Sequence, residues 1–308
     1  MDSITQFSLG AAVGIAVSPK KTPKIAIISG LLASLPDLDI LLTMINDSND
    51  LDSTINHRGA SHSLFFLTLV SPLLALILFK FFNYIDYFRW WLITFLALTT
   101  HAILDSFTIY GTSLFLPFSD EKIMIGSIFI VDPIYTLPLL VSFIYLMVRK
   151  KPWLIKGKSF NTMALVFSHI YLLFGVIVQQ IIVPTGHAFA TPTPFNSYLW
   201  RVVKVEEGNI SEYFVDIFGD QKTAISVKNQ QSLREINLKS VNKYAKFSSN
   251  FYNLEVDNNQ LILQDLRMGN IKNPVFSFVI AKKIDNKWKQ VEPRRHTIKI
   301  DINAMFGG

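Results

Sequence analysis

The chain of 308 residues contains no cysteine. Disulfides, thiolate zinc sites and cysteine nucleophiles are therefore excluded, and a bound metal would have to be held by His, Asp, Glu or backbone oxygen atoms. Charged residues are also scarce, at 17% of the chain, whereas 50% of the residues are hydrophobic. This composition is too apolar for an ordinary soluble protein of this length and indicates a membrane protein.

Long hydrophobic runs are confined to the first 185 residues. There are six of them, at residues 4–17, 25–45, 64–82, 90–110, 134–148 and 163–183. Four approach the roughly 20 residues that a tilted helical span needs, while the first and fifth are short. The first run has Asp2 and no Lys or Arg before it, so we expect it to be retained rather than removed as a signal peptide. Its Gly10-xxx-Gly14 spacing favours close packing on a neighbouring helix. The sequence predicts an α-helical membrane domain of about six hydrophobic helices over residues 1–185.

Basic residues are distributed unevenly among the loops that would join six crossing helices. Ten lie in alternate loops on one side, whereas the opposite loops carry only Arg58 and Lys122. Because cytoplasmic loops are rich in Lys and Arg, the ten mark the cytoplasmic side. The sequence thus predicts a multi-pass protein with loops 46–63 and 111–133, and everything after residue 183, on the outer face. If the first or the fifth run re-entered the membrane instead of crossing it, the predicted orientation would change.

Residues 186–308 have a polar, strand-like texture. Two hairpins are predicted, NLEVDNNQLILQDL turning at Asp257-Asn258-Asn259 and VFSFVIAKKIDNKWKQV turning at Asp285-Asn286, and TIKIDI adds a final strand. The 17 Lys and Arg residues of this region are spread along it without a dense run. We therefore expect a mainly β extramembrane domain with a solvated, basic sheet surface and no nucleic-acid binding.

Seven ionisable residues in or beside the hydrophobic runs lie toward the predicted outer face: Asp37, Asp39, His57, His62, His101, Asp105 and Asp132. A single such residue is more often structural than a ligand. Uncompensated burial of the whole set would be prohibitive, whereas one or two divalent cations would neutralise the carboxylates and bind neutral imidazoles. The sequence therefore predicts a metal site. The nitrogen-rich set favours zinc, with manganese or iron next.

The spacing of these residues is compatible with convergence. His101 and Asp105 are four residues apart and share one face of a predicted helix. If Asp37 and Asp39 follow Pro36 in an extended segment, their carboxylates point to the same side, so that one could ligate while the other orients a histidine. A tight turn at Arg58-Gly59 would allow His57 and His62 to converge, with Ser61 as a helix cap.

Five stretches carry a resemblance to a known family: MDSITQFSLGAAVG, LPDLD, HRGASHS, HAILDSFTIYGT and LPFS. In order and spacing they resemble the YdjM-like family of inner-membrane proteins, predicted to be metal-dependent hydrolases, over about residues 1–185. That family is distantly similar to the zinc phospholipase C and single-strand nuclease superfamily, whose His-xxx-Asp pattern matches His101 and Asp105. Some members have His where this chain has Gln6, and a neutral amide is a poor ligand. The resemblance implies a bacterial inner-membrane protein that hydrolyses phosphoesters with metal-activated water.

The resemblance also suggests roles for individual residues. The core metal ligands would be His57, His62, His101 and Asp105, with Asp37 or Asp39 completing the set or bridging a second metal. Arg58 would clamp a phosphate or anchor to a lipid headgroup, and Asp132 would serve as ligand, base or helix cap. A site at the outer headgroup level of the lipid bilayer makes a phospholipid or other lipid-linked phosphate the natural substrate. A non-catalytic metal-binding scaffold remains an alternative, as does a transporter, although the six runs contain no internal repeat.

Overall fold

The computed structural model describes residues 1–18, 23–47, 49–148, 155–206, 209–228, 238–285 and 287–296. Their contacts divide the chain into two compact units. The first comprises the described parts of Met1–Asp39, Arg58–Thr108 and Thr112–Ile177. The second comprises the described parts of Ile40–His57, Ile109–Gly111 and Val178–Gly308. Two short segments of the N-terminal region thus belong to the same unit as the C-terminal part of the chain.

The N-terminal region is helical. Its helices are α1 (Ser3–Val17), α2 (Pro23–Ser34), α3 (Asp39–Asn46), α4 (Asp50–Asn56), α5 (Leu64–Phe81), α6 (Tyr87–Ser106), α7 (Pro133–Val148) and α8 (Ile155–Ile182). Short 3-10 helices at Pro36–Leu38 and Ala60–His62 precede α3 and α5. Except for the first residue of α3, helices α3 and α4 fall in the second unit, and α8 passes from the first unit to the second.

Helices α1 and α2 approach each other closely because α1 carries glycine at their contact. A Cβ atom at Gly10 would overlap Ala33 and the backbone oxygen of Ser29, and one at Gly14 would overlap the Ser29 side chain. The Ser29 hydroxyl instead donates a hydrogen bond of 2.6 Å to the Gly10 carbonyl. The close packing predicted from the Gly10-xxx-Gly14 spacing is confirmed.

Fewer helices qualify as membrane spans than the hydrophobic runs suggest. Within the described residues, two helices are long and apolar enough, Leu64–Phe81 and the Ser159–Ile182 part of α8. A third arises if α2 and the segment Pro36–Asn46, which are bent by 42° relative to each other, form one span. Helices α1 and α7 are apolar but shorter. The predicted number of about six hydrophobic spans is therefore not confirmed; α6, for example, carries Arg89, His101 and Asp105 among its apolar residues.

The second unit contains two antiparallel sheets of four strands each among its described residues. The first sheet has the order β1 (Ala188–Thr193), β2 (Asn196–Glu206), β3 (Asn209–Asp216) and β4 (Gln221–Lys228). The second has the order β5 (Tyr252–Asp257), β6 (Gln260–Asp265), β7 (Ser277–Ile284) and β8 (Lys287–Arg295). A helix, α9 (Lys239–Phe247), lies between the sheets in sequence. The mainly β character is confirmed.

Both predicted hairpins are present. Strands β5 and β6 join through Asn258 and Asn259, whose φ angles of 46° and 59° are the left-handed values that a tight hairpin turn requires and that Asn tolerates. Asp285, at the start of the β7–β8 turn, likewise has a φ of 52°. The predicted strand TIKIDI lies outside the described residues.

Several helix ends meet at one end of the first unit. Near the start of α1, Thr5 Oγ1 lies 2.6 Å from Thr136 Oγ1 near the start of α7. Gln6 Nε2 donates to Asp105 Oδ1, near the end of α6, at 2.8 Å. The 3-10 helices that follow α2 and precede α5 reach the same place. Polar residues from five helix ends are thereby collected in one region.

Candidate metal centre

Four ionisable side chains converge at this end of the helical unit. They are Asp37, His62, His101 and Asp105, and each offers one ligand atom such that all four atoms lie within 4.8 Å of one another. We call this set the metal group. Helix α6 contributes His101 and Asp105 from consecutive turns, as their spacing predicts. Asp37 lies in the 3-10 helix after α2, and His62 ends the 3-10 helix before α5.

The separations within the metal group suit a small divalent cation. The Nε2 atoms of His62 and His101 are 3.0 Å apart. From Asp37 Oδ1, the distances to these two nitrogens are 3.4 and 3.5 Å. From Asp105 Oδ2, they are 3.2 and 3.6 Å. Zinc ligands at roughly 2.0–2.1 Å in a tetrahedron would be about 3.3–3.4 Å apart, so these five separations are close to that spacing.

Burial of the metal group strengthens this interpretation. The side chains of His62, His101 and Asp105 are fully buried, and only Asp37, at 23% exposure, reaches the surface of the unit. His101 Nδ1 forms no hydrogen bond with any residue that the structure describes, and Asp105 Oδ2, although Arg58 lies 2.9 Å away, also faces the Nε2 atoms of both histidines. Burial of two carboxylates and two imidazoles side by side is costly, and a divalent cation would remove much of that cost. The buried Asp/His/His/Asp set can therefore bind a divalent metal.

The two aspartates of the LPDLD stretch have separate partners. Residues Pro36–Leu38 form a 3-10 helix and Asp39 begins α3, so the segment is helical rather than extended. Side chains two residues apart on a helix point in different directions. Asp37 accordingly faces the two histidines, whereas Asp39 accepts hydrogen bonds from the backbone N–H of Arg58 at 2.9 Å and the hydroxyl of Ser61 at 2.5 Å.

Asp39 and Ser61 together determine which nitrogen of His62 is available. An ionised Asp39 only accepts, so the hydroxyl proton of Ser61 is directed to it, and Ser61 Oγ in turn accepts from His62 Nδ1 at 2.9 Å. The proton of a neutral His62 therefore resides on Nδ1, which leaves the Nε2 lone pair directed into the metal group. Such carboxylate-oriented histidines are characteristic of metal sites.

Protonation competes with a cation at the same nitrogen. Burial lowers the pKa of His62, but its hydrogen bonds with Asp105 and Asp37 outweigh burial, so that the net pKa is raised. A cation at Nε2 replaces the proton held there, and metal binding by this group releases protons.

Arg58 holds a strained position beside the group. Its φ of 57° is left-handed, which is unfavourable for a residue with a long side chain. Its N–H donates to Asp39 and its carbonyl accepts from the N–H of Ser113 at 3.0 Å. The guanidinium lies 2.9 Å from Asp105 Oδ2 through Nε and donates to Thr108 Oγ1 at 3.0 Å through Nη1. The predicted phosphate clamp thus contacts a carboxylate of the metal group.

The second oxygen of Asp105 is held by the start of α1. Gln6 Nε2 donates to Oδ1 at 2.8 Å, and the amino group of Met1 also contacts this oxygen. Gln6 Oε1 has no hydrogen-bond partner among the described residues. Gln6, which is expected to be a poor metal ligand, instead supports Asp105, and no residue pattern around Gln6 predicts this contact.

Besides Arg58, three predicted site residues lie outside the metal group. Asp39 supports His62 as described above. His57 is the C-cap of α4 in the second unit, where its ring lies 5.5 Å from the ring of Tyr110. Asp132 caps α7 by accepting from the N–H groups of residues 134 and 135 at 2.9 and 3.1 Å, and it also accepts from the hydroxyl of Tyr171 at 2.7 Å. Of the alternatives left open for Asp132, these contacts correspond to the helix cap.

Comparison with known proteins gives one family and two relatives. The model of the YdjM inner membrane protein family matches residues 1–182. The uncharacterized protein YfhP of Bacillus subtilis (strain 168) is 30% identical over 141 residues, which are 43% of this chain and 42% of YfhP. The inner membrane protein YbcI of Escherichia coli (strain K12) is 31% identical over 122 residues, which are 39% of this chain and 69% of YbcI. The chain thus spans less than half of YfhP. No solved structure matches.

Proposed function

This chain belongs to the YdjM inner membrane protein family, and from that premise we propose that it is a membrane-embedded metal-dependent hydrolase of phosphoesters. The observation that carries the proposal is the buried metal group, in which two imidazole nitrogens and two carboxylate oxygens lie within 4.8 Å of one another. Such a group at the end of a helical unit in a membrane protein favours a phospholipid or lipid-linked phosphate over a small soluble ester.

In this proposal the ligands are His62 and His101 through Nε2, and Asp37 and Asp105 through one oxygen each. Zinc is favoured because the donors have tetrahedral spacing, with manganese or iron next. A bound cation supplies a Lewis acid that lowers the pKa of water and polarises a phosphoryl oxygen. Asp37, as the one partly exposed ligand, borders the side from which a substrate enters.

Neighbouring residues hold the ligands in place. Arg58 holds Asp105 in place through its guanidinium. A phosphoryl oxygen bound at the metal group would also contact the Arg58 guanidinium. Asp39 and Ser61 keep His62 in the tautomer that ligates.

A metal-binding scaffold is the second candidate. Four protein donors fill a tetrahedral zinc site, as in structural sites, whereas a catalytic zinc keeps one position open. The partial exposure of Asp37 favours the hydrolase, because exchange or displacement of this ligand would open a position toward solvent.

The first experiment measures metal content. We expect purified protein to bind about one divalent cation, and His101→Ala to lose most of it because a shared coordination sphere loses a donor. His57→Ala is the matched control, since His57 lies outside the metal group, and it should retain wild-type metal content. Full occupancy in His101→Ala, or equal loss in His57→Ala, would contradict the ligand assignment.

The same preparations separate enzyme from scaffold. Phospholipids, lipid-linked phosphates and soluble phosphodiesters are offered to metal-loaded wild type and to Asp37→Asn. We expect turnover in the wild type and its loss in the variant. In the cobalt-substituted protein, inorganic phosphate should change the visible spectrum if the site accepts a further oxygen. A metal-replete wild type that is inactive on every ester, with a spectrum unaffected by phosphate, would favour the scaffold.

We also propose a multi-pass arrangement in which the metal group and the C-terminal part of the chain face outward. Ten basic residues against two in alternate loops support it. A reporter fused after Gly308 should lie outside the cytoplasm, and one inserted near Lys156 should lie inside. Both reporters on one side would refute the six-crossing arrangement.

A further inference from the structure

Four exposed phenylalanines form a cluster beside the metal group. Phe65 and Phe66, on the first turn of α5, are 40% and 36% exposed, while Phe115 and Phe118, in the loop between α6 and α7, are 50% and 79% exposed. The ring of Phe65 lies 5.5 Å from that of Phe66 and 5.3 Å from that of Phe118. We call these four residues the aromatic cluster. Several exposed aromatic side chains in one patch indicate an interaction surface.

The loop that carries half of this cluster is tied to the beginning of α5. The N–H of Leu64 donates to the carbonyl of Leu114 at 3.0 Å, and the hydroxyl of Ser63 donates to the carbonyl of Leu116 at 2.5 Å. Ser63 is also the N-cap of α5 and directly follows His62. The aromatic cluster and a ligand of the metal group are therefore fixed to the same helix end.

An apolar stripe continues from the cluster along α5. Leu69, Leu73 and Ile77 are 54%, 64% and 52% exposed, and they follow one another at intervals of four residues. Helix α5 is one of the described helices that are long and apolar enough to span a membrane. The aromatic cluster is thus the terminal part of a surface that suits hydrocarbon, and it lies where such a helix leaves the bilayer.

We propose that the aromatic cluster is a membrane-interface anchor that inserts at the boundary between lipid headgroups and acyl chains. Aromatic and large apolar side chains at the end of a lipid-facing surface favour this depth. His62 lies two residues before α5, about half a helical turn beyond the apolar helix, so the metal group lies level with the headgroups. Together with the proposed function, on which this step rests, the depth of the metal group indicates the substrate class. The substrate is a phosphoester whose lipid tail stays in the bilayer while its phosphate reaches Asp37.

The absence of cysteine makes a direct test of depth available. Phe118→Cys, Leu73→Cys and Phe218→Cys each introduce the only cysteine, to which a nitroxide is attached in protein reconstituted into phospholipid vesicles. Phe218 is the matched control, because it is also 79% exposed but lies in the loop between β3 and β4. Accessibility to oxygen, which partitions into lipid, is compared with accessibility to an aqueous nickel complex.

We expect the Phe118 label to lie between the other two, with oxygen accessibility below that of the Leu73 label and nickel accessibility several-fold below that of the Phe218 label. Nickel accessibility equal to that of the Phe218 label would overturn the proposal. Protection from both reagents, or dipolar broadening between labels, would assign the surface to a protein partner or a second copy and would also overturn it.

A second measurement tests the substrate class. Phe115→Ser combined with Phe118→Ser should lower hydrolysis of a vesicle phospholipid by roughly tenfold while leaving a soluble phosphodiester unaffected, because only the lipid substrate depends on docking at the interface. Equal loss on both substrates, or no loss on either, would reject the substrate class. The depth measurement does not depend on turnover, so an interfacial Phe118 label in an inactive protein would leave the anchor intact and count against the hydrolase alone.

Discussion

Both units of the molecule bury charged side chains, but they compensate those charges in different ways. In the helical unit, Asp37, His62, His101 and Asp105 bring their ligand atoms within 4.8 Å of one another. In the second unit, buried arginines are paired with carboxylates and backbone carbonyls. The comparison distinguishes donor atoms that converge on one point, as a cation requires, from carboxylates that each face their own guanidinium.

Two such arginines lie among the described residues of the second unit. The guanidinium of Arg267 bonds Asp265 at 2.7 Å through Nη2 and the carbonyl of Tyr110 at 2.9 Å through Nη1. Tyr244 donates to the same aspartate at 2.6 Å. Burial, reinforced by Asp265, raises the pKa of Tyr244 well above its usual range, so its hydroxyl remains a donor. Arg201 pairs with Glu212 and donates to the carbonyl of residue 266 at 2.9 Å.

The difference explains why a buried carboxylate is not by itself a ligand. Asp265 accepts from a guanidinium, a phenol and a backbone N–H, which leaves little need for a cation. Asp105 Oδ2 has the Arg58 guanidinium at 2.9 Å but also faces two imidazole nitrogens, at 3.2 and 3.6 Å. Donor atoms from several side chains that converge on one point are the feature that marks a metal site.

The largest effect that this comparison predicts is on folding, at Arg267. Arg267→Leu leaves Asp265 buried without its cation, so we expect a loss of about 3–5 kcal/mol in the free energy of unfolding. Metal content should not change, because Arg267 takes no part in the metal group. Chemical denaturation of the purified variant, together with metal analysis, tests both expectations.

Asp37→Asn provides the opposite case. It should reduce metal binding strongly, whereas the stability of the metal-free protein should change little, since Asp37 is partly exposed and Asn retains hydrogen-bonding capacity. If Arg267→Leu released the metal, or left stability unaltered, the division between a structural charge network and a ligand group would fail.

The sequence predicts some features of both units well, where local chemistry decides them. The β5–β6 hairpin follows from Asn258 and Asn259, which tolerate left-handed backbone angles, and the contact of α1 with α2 follows from Gly10 and Gly14. The sequence also predicts that His101 and Asp105 share one helix face, because residues four apart on a helix are neighbours on its surface.

Other features depend on contacts that are distant in sequence. Whether Asp37 or Asp39 faces the histidines depends on the helical conformation after Pro36. Arg58, with its left-handed backbone, lies between His57 and the 3-10 helix that ends at His62. Arg201 and Arg267 belong to the region for which the sequence predicts a solvated basic surface, but both are buried. Their counter-ions are Glu212 on the neighbouring strand β3 and Asp265 two residues before Arg267. Composition alone does not distinguish these positions.

The smallest effect concerns Ser61, which touches the metal group only through His62. Ser61→Ala removes the acceptor that keeps the proton on His62 Nδ1, so the other tautomer, with its proton on Nε2, becomes populated. Loss of such a supporting contact lowers metal affinity by about 10- to 100-fold. Ser61→Thr retains the hydroxyl and is the matched control, which should bind metal with near wild-type affinity.

Affinity and tautomer can be measured on the same samples. Competition with a chelator gives the affinity, and the nitrogen chemical shifts of the His62 ring report which nitrogen carries the proton. A merely structural role for Ser61 would lower stability without changing the tautomer. The orienting role is rejected if Ser61→Ala binds metal as tightly as Ser61→Thr, or if the zinc-bound His62 ring in the wild type carries its proton on Nε2. A loss of affinity that accompanies the tautomer change would show that the helical unit, unlike the second unit, uses its buried hydrogen bonds to keep a lone pair available.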